Sequence, residues 1–212
     1  MTTLAAKLRR QQFRQDLHDV KYHTDIYVLP KAKRLNHLVL HHCKYVSDLY
    51  LLLRNDKWVI DDVEKASLLK RRCLDGLIVC LSMANICGKE LITSMFSFPW
   101  VTEGALSAMI ETIGKMAKTI EDIDHMNQTN PIGEIYTSIN TLAAIYAGAL
   151  SLVGIPFQDV VEHIQERLLA VESKHIWHSR YLEEIDAKMY AYDQAIIAGH
   201  RFGDEIVHTL KA

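Results

Sequence analysis

The chain has 212 residues, 49% hydrophobic and 24% charged, with only 9 Gly and 4 Pro. That length can carry one compact core, and that composition excludes a disordered, collagen-like or low-complexity chain; so little Gly and Pro also argues against the turn-rich pattern of a sandwich or barrel. The net charge of −2 is a cancellation, because residues 1–100 hold 16 Lys and Arg against 10 Asp and Glu, whereas residues 101–212 hold 8 against 16.

Such polarity means either two solvated faces that differ, or a basic face for phosphate ligands or an acidic partner. Cys43, Cys73, Cys80 and Cys87 sit inside apolar helical patterns without paired C-x-x-C spacing, as buried free thiols of a reducing cytoplasm would. The amino terminus lacks the apolar core of a signal peptide, and no uninterrupted run reaches the ~18 apolar residues of a membrane span. A cytoplasmic protein without membrane contact is the expectation.

In chain order, Leu4, Leu8, Phe13, Leu17 and Val20 recur at helical spacing, with Arg9, Arg10, Arg14 and Asp16 elsewhere around the cylinder, which predicts an amphipathic helix over 3–22. A short extended stretch, 25–29, ends at Pro30. A second helix is predicted over 31–54, through Leu35, Leu38, His42, Tyr45, Leu49 and Leu52. Asp61 followed by Glu64 reads as a capping box opening a third helix, which stops at Gly88. The short loop between these two helices makes them antiparallel neighbours. Residues 96–100 break the periodicity and form a packed hinge between halves. A fourth helix covers 102–126. Asn130 caps a fifth with Pro131 at its first position, ending at Gly154; a sixth runs from Pro156 to Trp177, and a last one from Ser179 to Gly199, with 202–210 as a tail extension. No segment alternates as a strand does. The expected fold is an all-α bundle of six to eight helices in one domain, with a first hairpin half over 1–95, a second over 101–177 and a carboxyl-terminal helical extension over 178–212.

The two halves repeat weakly. Lys44, Tyr45 and Asp48 precede a helix with Arg72, Asp75, Leu77, Leu81, Ala84, Asn85 and Gly88; in the second half Ile110, Glu111, Gly114, Lys115 and Lys118 precede Ser138, Thr141 and Tyr146. Each hairpin resembles the MazG-like all-α nucleoside triphosphate pyrophosphohydrolases, over residues 35–90 and 105–172. The resemblance implies an internal pseudo-dimer. It also implies the family's chemistry: E-x-x-E on one helix and E-x-x-D on the next hold Mg²⁺, which binds a triphosphate while water cleaves between the α and β phosphates. The requirement is physical, since Mg²⁺ takes hard oxygen ligands and i,i+3 spacing points two carboxylates off one helical face.

Here Asp75 falls on the family's aspartate, but Arg72 replaces the glutamate before it. Asp48 stands for the second glutamate of the preceding helix, and the first falls at Tyr45. In the second half Glu111 survives, Thr112 and Lys115 replace other acids, and the E-x-x-D pair falls at Ser138 and Thr141. The resemblance therefore leaves two expectations. One is a divergent Mg²⁺-dependent pyrophosphohydrolase, of the house-cleaning or dNTP-pool type, whose composite metal site gathers Asp48, Asp75 and Glu111, aided by Glu134 or by Glu121 and Asp122, with Lys44, Arg71 and Arg72 on phosphate oxygens. The other is a catalytically inactive relative that binds a nucleotide, or acts through a homodimer or protein partner.

Eleven histidines need a separate reading. His37 and His41 have the i,i+4 spacing of a transition-metal pair, beside His42, and Glu172 with His175 forms one E-x-x-H, approximately echoed by Asp122 and His125. Helix histidines satisfied by hydrogen bonds are the simpler reading. The basic tracts Arg9–Arg10, Lys31–Arg34 and Lys70–Arg72 are short, share their helices with acids and lack a helix-turn-helix or zinc signature, so nucleic acid is not an expected ligand.

Overall fold

The computed structural model describes residues 3–53, 62–92, 102–125 and 130–210. Among them there are helices and no strand, so the expected all-α bundle is what the chain forms. The expected hinge at 96–100 lies outside the described residues.

Helix α1 (Leu4–Tyr22) starts where Thr3 accepts a hydrogen bond from the Ala6 amide. The next residues form a helical turn, α2 (Thr24–Tyr27), where an extended stretch was expected: the His23 carbonyl accepts from the amides of both Ile26 and Tyr27 and winds the chain. Helix α3 (Lys31–Leu53) follows. Helix α4 (Val63–Cys87) is capped by Asp62, whose carboxylate accepts from the Glu64 and Lys65 amides, so the cap sits one residue later than the Asp61 expected. It closes at Gly88, whose φ of 65° is the left-handed conformation that lets Lys89 bond back to Ala84.

Helix α5 (Thr102–His125) precedes α6 (Pro131–Leu150), capped by Asn130 onto the Gly133 amide. Helix α6 ends four residues before Gly154, in a 3₁₀ turn over Ser151–Val153. Helix α7 (Val160–Glu172) is shorter at both ends than the sequence predicts, because 157–159 is another 3₁₀ turn and after Glu172 the chain closes in tight turns such as His175 amide to Glu172 carbonyl. Helix α8 (His178–Ile197) and a short α9 (Glu205–Thr209) complete the chain.

Helices α3 and α4 form one hairpin, α5 and α6 the other, and they assemble into a four-helix bundle in which α4 lies on α6 and α3 on α5. The centre is a polar pin inside an apolar core. Tyr146 is fully buried, its ring sits where a Cβ on Gly76 would come within 2.4 Å, and its hydroxyl lies 3.0 Å from Nδ1 of buried His42. Gly76 is thus required by the close approach of α6 to α4. By length and mean hydropathy Pro131–Val153 would also pass for a membrane span, although Glu134 interrupts it, and it is mostly buried as the core helix of the bundle.

Helices α1 and α7 lie along the outer face of α4, and α8 packs on α1 through a second small core in which Phe13 stacks on Tyr192 at 4.3 Å. Flanked by α4, α7 and α8, α1 buries Arg14 and Asp16 as well as its apolar stripe, which an amphipathic reading did not anticipate.

Candidate functional site

Residues of α1, α2, α3, α4 and α7 line a cavity of about 370 Å³, within the small-ligand range. Four cationic side chains line it, Arg34 and Lys44 from α3, Arg72 from α4 and Arg167 from α7, against two carboxylates, Asp19 and Asp75.

One end is built from the positions where the MazG-like pattern places metal ligands. Asp75 is gripped in bidentate fashion by Arg167, Nε to Oδ1 at 2.7 Å and Nη2 to Oδ2 at 3.2 Å, and Arg72 Nη1 stands 3.9 Å from its Oδ2. Asp48 Oδ2 is 2.6 Å from Arg72 Nε, in charge contact although the N–H is not aimed at the oxygen. Lys44 lies 4.8 Å from the Tyr45 ring centroid and has no carboxylate partner among the described residues. Arg34 is likewise held on an aromatic face, 4.3 Å from the Tyr27 centroid. Burial, with help from Asp75, pushes the Tyr45 phenol up to about 12. His41 bridges Tyr45 (Nδ1 to hydroxyl, 3.3 Å) and His37 (Nε2 to Nε2, 3.2 Å), and burial, followed by Lys44 and His37, lowers its pKa.

The other end is built on α1. Gln15, His18 and Asp19 share one helical face. Gln15 Nε2 donates to Asp19 Oδ1 at 2.9 Å and to Ser82 Oγ at 3.2 Å. Burial raises the Asp19 carboxyl to about 6. Behind them Glu172, fully buried, takes a bidentate pair from Arg14 (3.0 and 2.7 Å) and lies 2.9 Å from His18 Nδ1. Burial pushes Glu172 up, but the hydrogen bonds from His18 and Arg14 outweigh it and hold the carboxyl below its ordinary range.

Of the residues expected at a site, Asp75, Arg72 and Lys44 line the cavity, and Asp48 joins them through Arg72. Arg71 is exposed and outside it. Glu111 is 67% exposed on α5, paired with Lys115 at 2.7 Å. Glu134 accepts from the Thr119 hydroxyl, and Lys118 bridges Glu121 and Asp122. Asp48, Asp75 and Glu111 are not gathered into a metal-holding group, and among the described residues no three His, Cys, Asp or Glu are.

The residues present do not fit Mg²⁺ at this end. Its two carboxylates are already answered by two guanidiniums, and a dication would have to displace them beside Lys44. The E-x-x-H pair is spent too, since Glu172 serves Arg14 and His18 while His175 Nδ1 accepts from the Trp177 amide.

Sequence reasoning missed Arg167, Arg34 and the whole α1 contribution. Arg167 is one arginine among several on polar helix faces. For α1 there was a signal: the run Gln11, Gln12 and Gln15 is polar but uncharged, which suits a buried polar face better than a solvated one. No family model matches the chain, and no curated protein and no solved structure matches it either.

Proposed function

We propose that the chain is a nucleotide-binding helical protein built on a MazG-like frame, in which arginine and lysine take over from the metal in holding phosphate. The observation that carries this reading is the convergence of Lys44, Arg72 and Arg167 from three helices on one end of a small-ligand cavity, where the family pattern would put carboxylates. Lys44, without a carboxylate partner among the described residues, offers a point charge to phosphate, and Arg167 keeps its Nη1 group beside the fork that Asp75 occupies; neither needs a dication. Leu38, Ile78 and Val79 supply an apolar wall suited to a base. The metal-dependent pyrophosphohydrolase is the less supported reading, because its carboxylates are occupied by guanidiniums.

Calorimetric titration of the full chain with nucleoside monophosphates and with the parent nucleosides, first in EDTA and then in Mg²⁺, tests the reading. Binding is expected to require the phosphate, to be unchanged by Mg²⁺, and to weaken about tenfold in Lys44→Gln. Affinity that appears only with Mg²⁺, or Mg²⁺-dependent pyrophosphate release from a triphosphate, would restore the hydrolase instead.

A further inference from the structure

One face of α3 gives the cavity four residues in a row. Arg34, His37, His41 and Lys44 follow one another at spacings of three and four, so they stand one above another along the helix, and all four line the cavity. The row puts a cation at each end and two imidazoles between. His41 Nε2 lies 3.2 Å from His37 Nε2, and its Nδ1 lies 3.3 Å from the Tyr45 hydroxyl, so both nitrogens of this ring are engaged. Two imidazole nitrogens in such contact hold one proton between them. A further proton on the pair leaves that N–H···N bond in place and makes it charge-assisted, whereas a second would set two N–H groups head to head. The pair is built to take up a single proton.

The groups facing the row are His18 and Asp19 on α1, His23 before α2 and Tyr27 on it, Arg72 and Asp75 on α4, and Arg167 on α7. Arg72 and Arg167 are engaged by Asp48 and Asp75, whereas Lys44 has no carboxylate partner among the described residues and stands three residues from His41 on the same face. Burial, then Lys44, His37 and His23, hold His41 below the ordinary histidine value, against an opposite pull from Asp75. His23 is lowered as well, by burial and then His18, with Asp25 opposing and His37 and His175 adding.

We infer, on the footing of the phosphate reading above, that anion binding in this cavity is coupled to the uptake of one proton by the His37–His41 pair, so that the site holds phosphate more tightly in mildly acidic than in alkaline solution. An anion beside Lys44 offsets the charge that helps to keep His41 neutral, and a protonated pair adds a charge to the row that meets the anion; the two effects are one coupling seen from either side. Histidine is the side chain whose ordinary value brings such a change within the range of about pH 5 to 8. Asp19 titrates there too, since burial raises its carboxyl to about 6, and the loss of its charge also favours an anion.

Inorganic sulfate is the probe, because it has the shape of phosphate and keeps its charge across this range. The full chain is titrated calorimetrically with sulfate at about pH 6 and about pH 8, and at about pH 6.5 in two buffers of different ionisation enthalpy, which counts the protons taken up. Sulfate is expected to bind roughly tenfold tighter at the lower pH, with an uptake that approaches about one proton and does not exceed it. His37→Gln/His41→Gln should cut the pH ratio to about twofold or less and remove most of the proton uptake, whereas Asp19→Asn should keep both. The native proton count needs no variant, and His41→Gln alone gives the same reading where the double variant does not fold. Equal affinity at both pH values, no proton uptake, or an uptake that survives in the histidine variant or is lost in Asp19→Asn overturns the inference and leaves the phosphate site standing. No sulfate binding at either pH overturns it as well, and the comparison of nucleoside monophosphates with nucleosides then decides the nucleotide reading separately.

Discussion

Arg167 holds Asp75 by two parallel hydrogen bonds, 2.7 and 3.2 Å long, across 92 positions of sequence. The contact ties α7 to α4 and occupies the Asp75 carboxylate at one end of the cavity. Breaking it from one side leaves Asp75, only 12% exposed, without its main counter-charge. Arg167→Gln should therefore lower unfolding free energy by about 1–3 kcal/mol in urea titrations. Mg²⁺ should not shift the thermal midpoint of the native protein or of this variant. In Arg72→Gln/Arg167→Gln both Asp48 and Asp75 lose their guanidiniums, and a Mg²⁺-dependent rise in midpoint should appear there. A rise already present in the native protein would refute the view that the two guanidiniums keep Mg²⁺ from Asp48 and Asp75.

Glu172 carries two partners in a dry setting, Arg14 on one side and His18 on the other. Glu172→Gln leaves a buried guanidinium without its counter-ion, at a cost of about 3–5 kcal/mol, whereas Arg14→Met with Glu172→Leu should lose less than the single change because neither charge remains to be solvated. The sign with pH follows from the lowered carboxyl. Its stabilisation is present above the unfolded value near 4.5 and is lost as pH falls through the lower folded value. Acid unfolding that begins below about pH 4.5 in the native protein should be less steep in the double variant.

The two hairpins were legible because their signals are local and periodic: Leu35, Leu49, Leu77 and Leu81 mark core faces, Gly88 ends α4, and Asn130 with Pro131 opens α6. Half of the Asp75 end of the cavity was legible for the same reason, since Asp75 and Arg72 sit at i,i+3 on one helix. What stayed hidden depends on tertiary placement. Nothing local in Arg167 says that it reaches Asp75, and α1 reads as a surface helix until α4, α7 and α8 are packed around it. The composite site failed to assemble for a similar reason: Glu111 matches a motif by position, but α5 turns that position to solvent.

Asp19 makes the cavity costly at neutral pH. Burial raises its carboxyl from 3.8 to about 6, so the folded protein holds this proton more tightly than the unfolded chain does. Stability must then fall as pH rises from about 4 to 6, and the cost is fully present above 6. Asp19→Asn removes the charge and keeps the shape. It is expected to raise stability by about 1–3 kcal/mol at pH 7.5 and by little at pH 4. Equal effects at both pH values would mean that the residue acts through packing.

The four cysteines should separate cleanly by reactivity. Cys43 is exposed, whereas Cys73 and Cys80 are buried in the bundle and burial raises both thiols strongly; Cys87 lies between, raised to about 11. Thiolate is the reacting species, so a raised pKa and a closed core act in the same direction. Under native conditions a thiol reagent should modify Cys43 rapidly and Cys87 slowly, and reach Cys73 and Cys80 only at the rate of global unfolding. Cys80 also lies 4.0 Å from His42 Nε2, but that imidazole is itself pushed down to about 3 by burial and carries no charge to draw the thiol's proton away. Modification of Cys80 faster than Cys73 in the folded protein would show that the His42–Tyr146 pin opens locally, and would place the weakest point of the bundle at its centre.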